Sequence, residues 1–237
     1  MDKGEDEMNR TKIEWTDYTW NPITGCTRGC SYCYARRMAY RLRGRAGYPQ
    51  EDPFRPCFHP DKLLDPILVK KPSKIFTCSM GEIFDPKGSE IWLSLVLDVI
   101  FHCPQHTFQI LTKQPKNIPN WEEAEAYWPS NVWLGVSVDG RTCGQEQIDN
   151  LFESSFPHLK FVSFEPLLGY VNDLDLEGID WVIIGAQTGQ GATQPRKEWV
   201  GQVLSQVVDN DIPLFIKPNL NWIGERPQEY PKEKMKH

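Results

Sequence analysis

Apolar and polar positions fall into a repeating rhythm between residues 74 and 217. A short apolar run at 74–78 reads as a buried strand. Residues 89–103 then read as a helix, with Ile91, Trp92, Leu95, Val96, Val99 and Ile100 on one face. The alternation continues. Residues 107–112, 132–138, 160–165, 180–186 and 213–217 are strand-like, while 117–127, 145–152 and 199–208 are helix-like. Upstream, 19–24 reads as a first strand ending at Gly25, 35–45 as an Arg-rich helix stopped by Gly44 and Gly47, and 61–69 as a short helix. Pro22 suits the start or edge of a sheet. Seven strands separated by amphipathic helices predict a parallel α/β sheet covered by helices, closed into a barrel or left as an open partial barrel. A dinucleotide-binding sheet would need a differently spaced glycine turn than the one at 185–191.

The same reading divides the chain. Residues 1–12 look like a disordered acidic tail, 13–217 like one domain, and 218–237 like a polar tail or surface strap. Residues 48–60 form an excursion longer than an ordinary connection, of the kind that covers active sites.

Composition narrows the classes. With 237 residues and 40% hydrophobic content, one barrel-sized domain is the natural expectation. A net charge of −6 argues against coating nucleic acid through bulk charge. No apolar run reaches the roughly 18 residues that span a bilayer, so no membrane partner is expected. Seven cysteines, an odd number with no signal-like stretch before them, argue against disulfides and for a reducing cytoplasm.

Three of those cysteines carry the chemistry. Cys26, Cys30 and Cys33 stand at C-x3-C-x2-C spacing between the first strand and the Arg-rich helix, with Gly25 and Gly29 allowing tight turns. Three thiolates do not complete a structural zinc site. They suit a four-iron cluster that keeps one iron open. A zinc knot completed by Cys57 or His59 is the competing reading.

With aromatic Tyr32 before the last cysteine, this motif resembles the signature of the radical S-adenosylmethionine (SAM) superfamily. Further blocks are Ile13 to Thr16, Trp20 to Pro22, Cys33 to Ala35, Leu111 to Lys113, Leu134 to Ser137 and Ser163 to Gly169. Together they resemble a family of small phage and prokaryotic three-Cys-motif radical SAM proteins, from about Ile13 to Lys217. The resemblance implies a partial TIM-like barrel with the cluster loop after the first strand. It implies a [4Fe-4S] cluster on Cys26, Cys30 and Cys33, and SAM cleaved to a 5′-deoxyadenosyl radical that abstracts hydrogen from a substrate. It also implies a reductant protein such as flavodoxin or ferredoxin.

Residue by residue, the resemblance places Met80, Gly81 and Glu82 where the superfamily holds the SAM amino group, with Met80 replacing a glycine. Tyr32 would meet the adenine through its backbone, and Ser137 and Asp139 are candidates for the ribose. Glu165 either contacts SAM or substrate or pairs with Lys113 or Lys217. Cys78 ends the second strand. Strand alternation puts it on the side of Phe76, where it either packs on the helix at 89–103 or returns a hydrogen atom to a substrate radical. Arg36, Arg37 and Arg41, beside the cluster in an acidic chain, suggest a phosphate-bearing substrate, a nucleotide or nucleic acid, against a plain solvated helix face. The alternative function is a non-enzymatic iron–sulfur protein for electron transfer or sensing.

Overall fold

The computed structural model describes residues 8, 10–121, 124–171, 174–189 and 191–231. In chain order its elements are β1 (Tyr18–Trp20), β2 (Ile23–Thr24), α1 (Tyr34–Arg41), β3 (Cys57–Phe58), α2 (Asp65–Leu68), β4 (Lys74–Thr77), α3 (Glu90–Phe101), β5 (Thr107–Thr112), α4 (Ala124–Tyr127), β6 (Val132–Ser137), α5 (Gln145–Glu153), β7 (Leu159–Phe164), β8 (Trp181–Ile184), α6 (Lys197–Asp209) and β9 (Leu214–Ile216). Seven strands form one sheet in the order β1-β4-β5-β6-β7-β8-β9, every neighbouring pair parallel. The sheet curls into a half-barrel, the open TIM-like fold expected from the alternation.

Side-chain alternation along the strands makes two cores. Outward residues such as Ile75, Phe108, Ile110, Leu134, Val162 and Val182 pack with α3, α5 and α6. Inward residues Phe76, Phe161, Trp181, Ile183 and Phe215 pack around Trp15 in the hollow of the curl. Gly135 belongs to this inner face because a Cβ there would stand 2.6 Å from the Phe161 ring. Towards the carboxyl ends the inward positions turn small and polar: Ser137 pairs in register with Ser163, both buried. The aromatic plug therefore stops short of the barrel mouth and leaves a floor for a cavity.

The open edges are covered. Arg10 bridges Tyr18 beside β1, and Gln228 bridges Phe215 beside β9. Tyr230 stacks on Trp181 with ring centroids 5.5 Å apart, so 227–230 is a strap over the last strand that blunts its free hydrogen-bonding edge. Met8 is buried in the outer core. Residues 1–7 and 9 of the expected acidic tail, and 232–237 of the C-terminal one, lie outside the described residues.

Four elements differ from the expectation, one being the helix read at 61–69, which is a 3₁₀ turn at Pro60–Lys62 followed by the short α2. The first strand splits at Pro22, which has no N–H for a ladder. Only 18–20 joins the sheet, while Ile23 and Thr24 pair antiparallel with Phe58 and Cys57. The helix expected at 35–45 ends at Arg41. The helix expected at 117–127 is a 3₁₀ turn at Pro115–Asn117 followed by the short α4.

Candidate functional site

The cysteine loop leaves β2 through Gly25, whose φ of +85° is a left-handed conformation natural to glycine. A Cβ at Gly25 would stand 2.1 Å from the Arg55 carbonyl oxygen, and one at Gly81 2.8 Å from Thr24 Cα. The two glycines face each other in a parallel bridge. Gly25 N–H donates to the Met80 carbonyl at 3.1 Å, and Glu82 N–H donates to the Gly25 carbonyl at 3.0 Å. The loop is thus stitched to Met80–Glu82 by backbone contact that leaves no room for side chains. Asn21 Oδ1 accepts from Met80 N–H at 2.8 Å, which fixes the same segment from the other side.

Asp85 is the second anchor. It is buried, and its Oδ2 accepts from Thr27 N–H at 2.6 Å, from the Thr27 hydroxyl at 2.8 Å and from Gln114 Nε2 at 3.2 Å. The Arg28 guanidinium donates to the Lys113 carbonyl. Cys33 caps α1, its sulfur accepting from Arg36 N–H at 3.3 Å, while Cys26 Sγ accepts from Arg28 N–H at 3.4 Å. Asp85 and Arg28 were not singled out in the sequence, and Asn21 entered only as part of the Trp20 to Pro22 block. The contacts that tie the cysteine loop and its neighbours down run over 58 to 85 positions, so no local spacing marks them.

These segments surround a cavity of about 430 Å³ at the carboxyl ends of the strands. Cys26, Cys30 and Cys33 line it together with Tyr32, Cys78, Gly81, Glu82, Ser137 and Glu165. Asp139 stands behind the wall. Its carboxylate accepts from the Tyr32 hydroxyl at 2.8 Å and from the Arg141, Thr142 and Cys143 N–H groups. Burial alone would raise its pKa. The donors from Thr142, Arg141 and Tyr32 outweigh burial and hold the carboxyl well below its ordinary range. Burial and the neighbouring Asp139 push the Tyr32 hydroxyl far up, so it stays protonated and donates.

Glu82 is buried, and burial raises its pKa. The opposing contacts are the Thr112 hydroxyl, at 2.7 Å, and the N–H groups of Lys113 and Phe84. Glu165 pairs with the buried ammonium of Lys217, which also stands 3.7 Å from Glu14. The pairing expected between Glu165 and a lysine is therefore formed by Lys217. Lys113 lies 6.0 Å over the Tyr32 ring.

Cys78 departs from strand alternation. Its φ of +59° turns the chain at the end of β4, so its thiol joins the outer core rather than the side of Phe76. Burial pushes that thiol up to about 12, against a hydrogen bond from the Ile23 backbone. The three arginines of α1 are off the cavity wall: Arg36 lies 5.8 Å over Phe54, Arg37 donates to the Thr188 carbonyl at 3.1 Å, and Arg41 is exposed. The cations on the wall are Lys12, Arg28, Lys113 and Lys217.

Among the described residues no three His, Cys, Asp or Glu side chains are gathered closely enough for a single metal ion. The donor set nevertheless fits an iron–sulfur cluster. Each iron of a cluster takes one thiolate, so the thiols need to face one space rather than one point. The three motif cysteines are free and line the same cavity, and two of their sulfurs already accept N–H bonds. The site also fits a polar organic cofactor, because the Ser137 hydroxyl is buried on the cavity wall without a partner.

Comparison with known proteins adds three findings. A family model described as Protein of unknown function (DUF5131) matches residues 10–236. None of the curated proteins matches. A solved structure of spore photoproduct lyase complexed with dinucleoside spore photoproduct is similar in fold, with a TM-score of 0.56 and 9% identity, covering 89% of this chain and 78% of that one. At that identity the likeness is one of fold.

Proposed function

This chain belongs to the DUF5131 family, and we propose that it is a radical SAM enzyme. The observation that carries the reading is the single cavity that gathers the three motif cysteines with Tyr32, Gly81, Glu82, Ser137 and Glu165 at the mouth of a half-barrel. The fold neighbour, spore photoproduct lyase, is itself a radical SAM enzyme, which supports the same direction.

Cys26, Cys30 and Cys33 would hold a [4Fe-4S] cluster. When bound, the cluster would supply one electron to the SAM sulfonium, giving methionine and a 5′-deoxyadenosyl radical. The protein's own part is positioning. Gly81 brings its backbone against the cysteine loop, and Glu82 presents a carboxylate whose orientation is fixed by Thr112 and Lys113. Tyr32 is held by Asp139, which gives Asp139 a positioning role rather than a contact on the wall. Ser137 offers a hydroxyl to the cofactor's polar edge, and Glu165 is held by Lys217. The aromatic plug below Ser137 and Ser163 closes the floor and keeps water from entering along the barrel axis.

Cys78 borders the cavity, but its thiol packs in the outer core, which supports packing over the role of hydrogen-atom donor. A reductant protein in a reducing compartment such as the cytoplasm completes the scheme. The competing reading, a non-enzymatic iron–sulfur protein, leaves the cavity without a purpose.

Metal analysis after anaerobic reconstitution tests the cluster assignment. About four irons per chain are expected in the native protein, with loss in each of Cys26→Ala, Cys30→Ala and Cys33→Ala and retention in Cys103→Ala. Zinc in place of iron, or a full complement in Cys33→Ala, would overturn it.

A further inference from the structure

A second cavity, of about 390 Å³, adjoins the first. Tyr32 and Gln187 line both, so the two spaces share one wall. The second is lined further by Ser31, Arg141, Arg196 and Trp199. Arg141 comes from the loop after β6, and its Nη2 lies 3.4 Å from the Leu168 carbonyl. Arg196 precedes the first turn of α6, with its guanidinium 5.3 Å over the Trp199 ring.

The charges here are arranged against their own interest. Among the described residues neither guanidinium forms an ion pair with a carboxylate. Helix α6 begins without a side-chain cap; Arg196 and Lys197 stand at its start, and Glu198 is the acidic residue of its first turn. The helix dipole favours anions at that end, and the two cations outnumber the one carboxylate there, so a bound anion would be favoured. This positive focus lies in a chain of net charge −6. Two arginine forks suit phosphate oxygens, which they can grip in two-point fashion. The half-buried indole, already stacked with a guanidinium, offers a planar face to an aromatic ring. An acidic peptide would satisfy the arginines but leave the indole unused. The volume is that of a small-ligand site.

We infer that this cavity is the substrate subsite and that it takes a nucleoside phosphate. The phosphate lies between Arg141 and Arg196, the base stacks at Trp199, and the rest of the molecule reaches the wall formed by Tyr32 and Gln187. The assignment of the ligand as substrate rests on the proposed function; the binding itself does not. It also moves the phosphate contact away from Arg36, Arg37 and Arg41, whose places are described above.

Equilibrium dialysis on the anaerobically reconstituted full chain at low salt tests the inference. The probes are the 5′-monophosphates of the four common nucleosides, the matching nucleosides and inorganic phosphate. At least one monophosphate should bind at least about tenfold more tightly than its nucleoside and than inorganic phosphate. Arg141→Gln and Arg196→Gln should each weaken it by about tenfold or more, the loss of a charge-assisted hydrogen bond, and Trp199→Leu should weaken it as well. Both arginines are exposed, so the variants should fold, which matching melting curves and iron contents check. Absence of binding, binding unchanged in both arginine variants, or inorganic phosphate binding as tightly as every monophosphate would overturn it. A SAM-cleavage assay on the same samples separates the two claims. Cleavage without nucleotide binding removes only this inference, and nucleotide binding without cleavage removes only the enzyme reading.

Discussion

Asp85 offers the sharpest test of how the cysteine loop is held. Replacing it with Ala removes one acceptor from four donors: Thr27 N–H, the Thr27 hydroxyl, Gln114 Nε2 and Lys87 N–H. Hydrogen bonds to a charged acceptor contribute about 1.5–3 kcal/mol each when dry. Thr27 is exposed, so water can replace part of what its two donors lose. A net local cost of about 2 kcal/mol is the resulting figure, and it falls on the one segment that carries Cys26. Such a cost shifts the equilibrium between held and released loop by about 30-fold. The assay is iron loss to a chelator, followed at the cluster absorbance. Asp85→Ala should lose iron about 30-fold faster than the native protein. If the cost spread through the whole domain, the melting temperature would fall by no more than about 4–8 °C. Iron retention at the native rate would refute the view that Asp85 holds the loop.

Three further outcomes follow from the geometry. Gly25→Ala combines left-handed strain with a backbone clash against Arg55 and should cost about 2–5 kcal/mol. Gly29→Ala, whose nearest atoms would be 4.0 Å away, should cost only the strain, about 1–2 kcal/mol, and denaturant midpoints compare the two. Lys217→Met leaves Glu165 and Glu14 without their shared cation, and the melting temperature should drop by about 4–8 °C; adding Glu165→Gln should recover part of it. Asp139 has a folded pKa below its ordinary value of 3.8. The stability it contributes is therefore present above that value and lost as pH falls through the lower folded one. The stability gap between the native protein and Asp139→Asn should be widest near neutral pH and close as pH falls below about 4; a gap that widens in acid would refute the assignment.

The fold was legible because strands and helices announce themselves locally. Thr107–Thr112 is an apolar run between polar turns, and its bounds match the sequence reading. The apolar face of α3 was legible only in part: Val96, Val99 and Ile100 are buried as read, but Ile91 and Leu95 are exposed, and Leu93 and Leu97 are buried in their place. Where the reading failed, a distant partner decided. Trp20 to Thr24 looks continuous, but Pro22 cannot continue a ladder, and Ile23 finds its partner at Phe58 instead. The positive φ at Cys78 turned a thiol that alternation had placed beside Phe76. The cysteine spacing pointed to a loop whose three thiols line one cavity, and it was legible because all three lie within eight residues. Asp85 and Asn21 carry no such spacing, since each acts on a segment 58 positions away. Arginine density drew attention to α1, yet Arg141 and Arg196, which line the adjoining cavity, are isolated in the sequence.

The central claim is that the cysteine-lined cavity cleaves SAM reductively. The direct measurement is chromatographic detection of 5′-deoxyadenosine after anaerobic incubation of the reconstituted, dithionite-reduced protein with SAM. The account predicts 5′-deoxyadenosine and methionine in equal amounts from the native chain, and neither from Cys30→Ala. A protein with four irons per chain that leaves SAM intact under these conditions would contradict it.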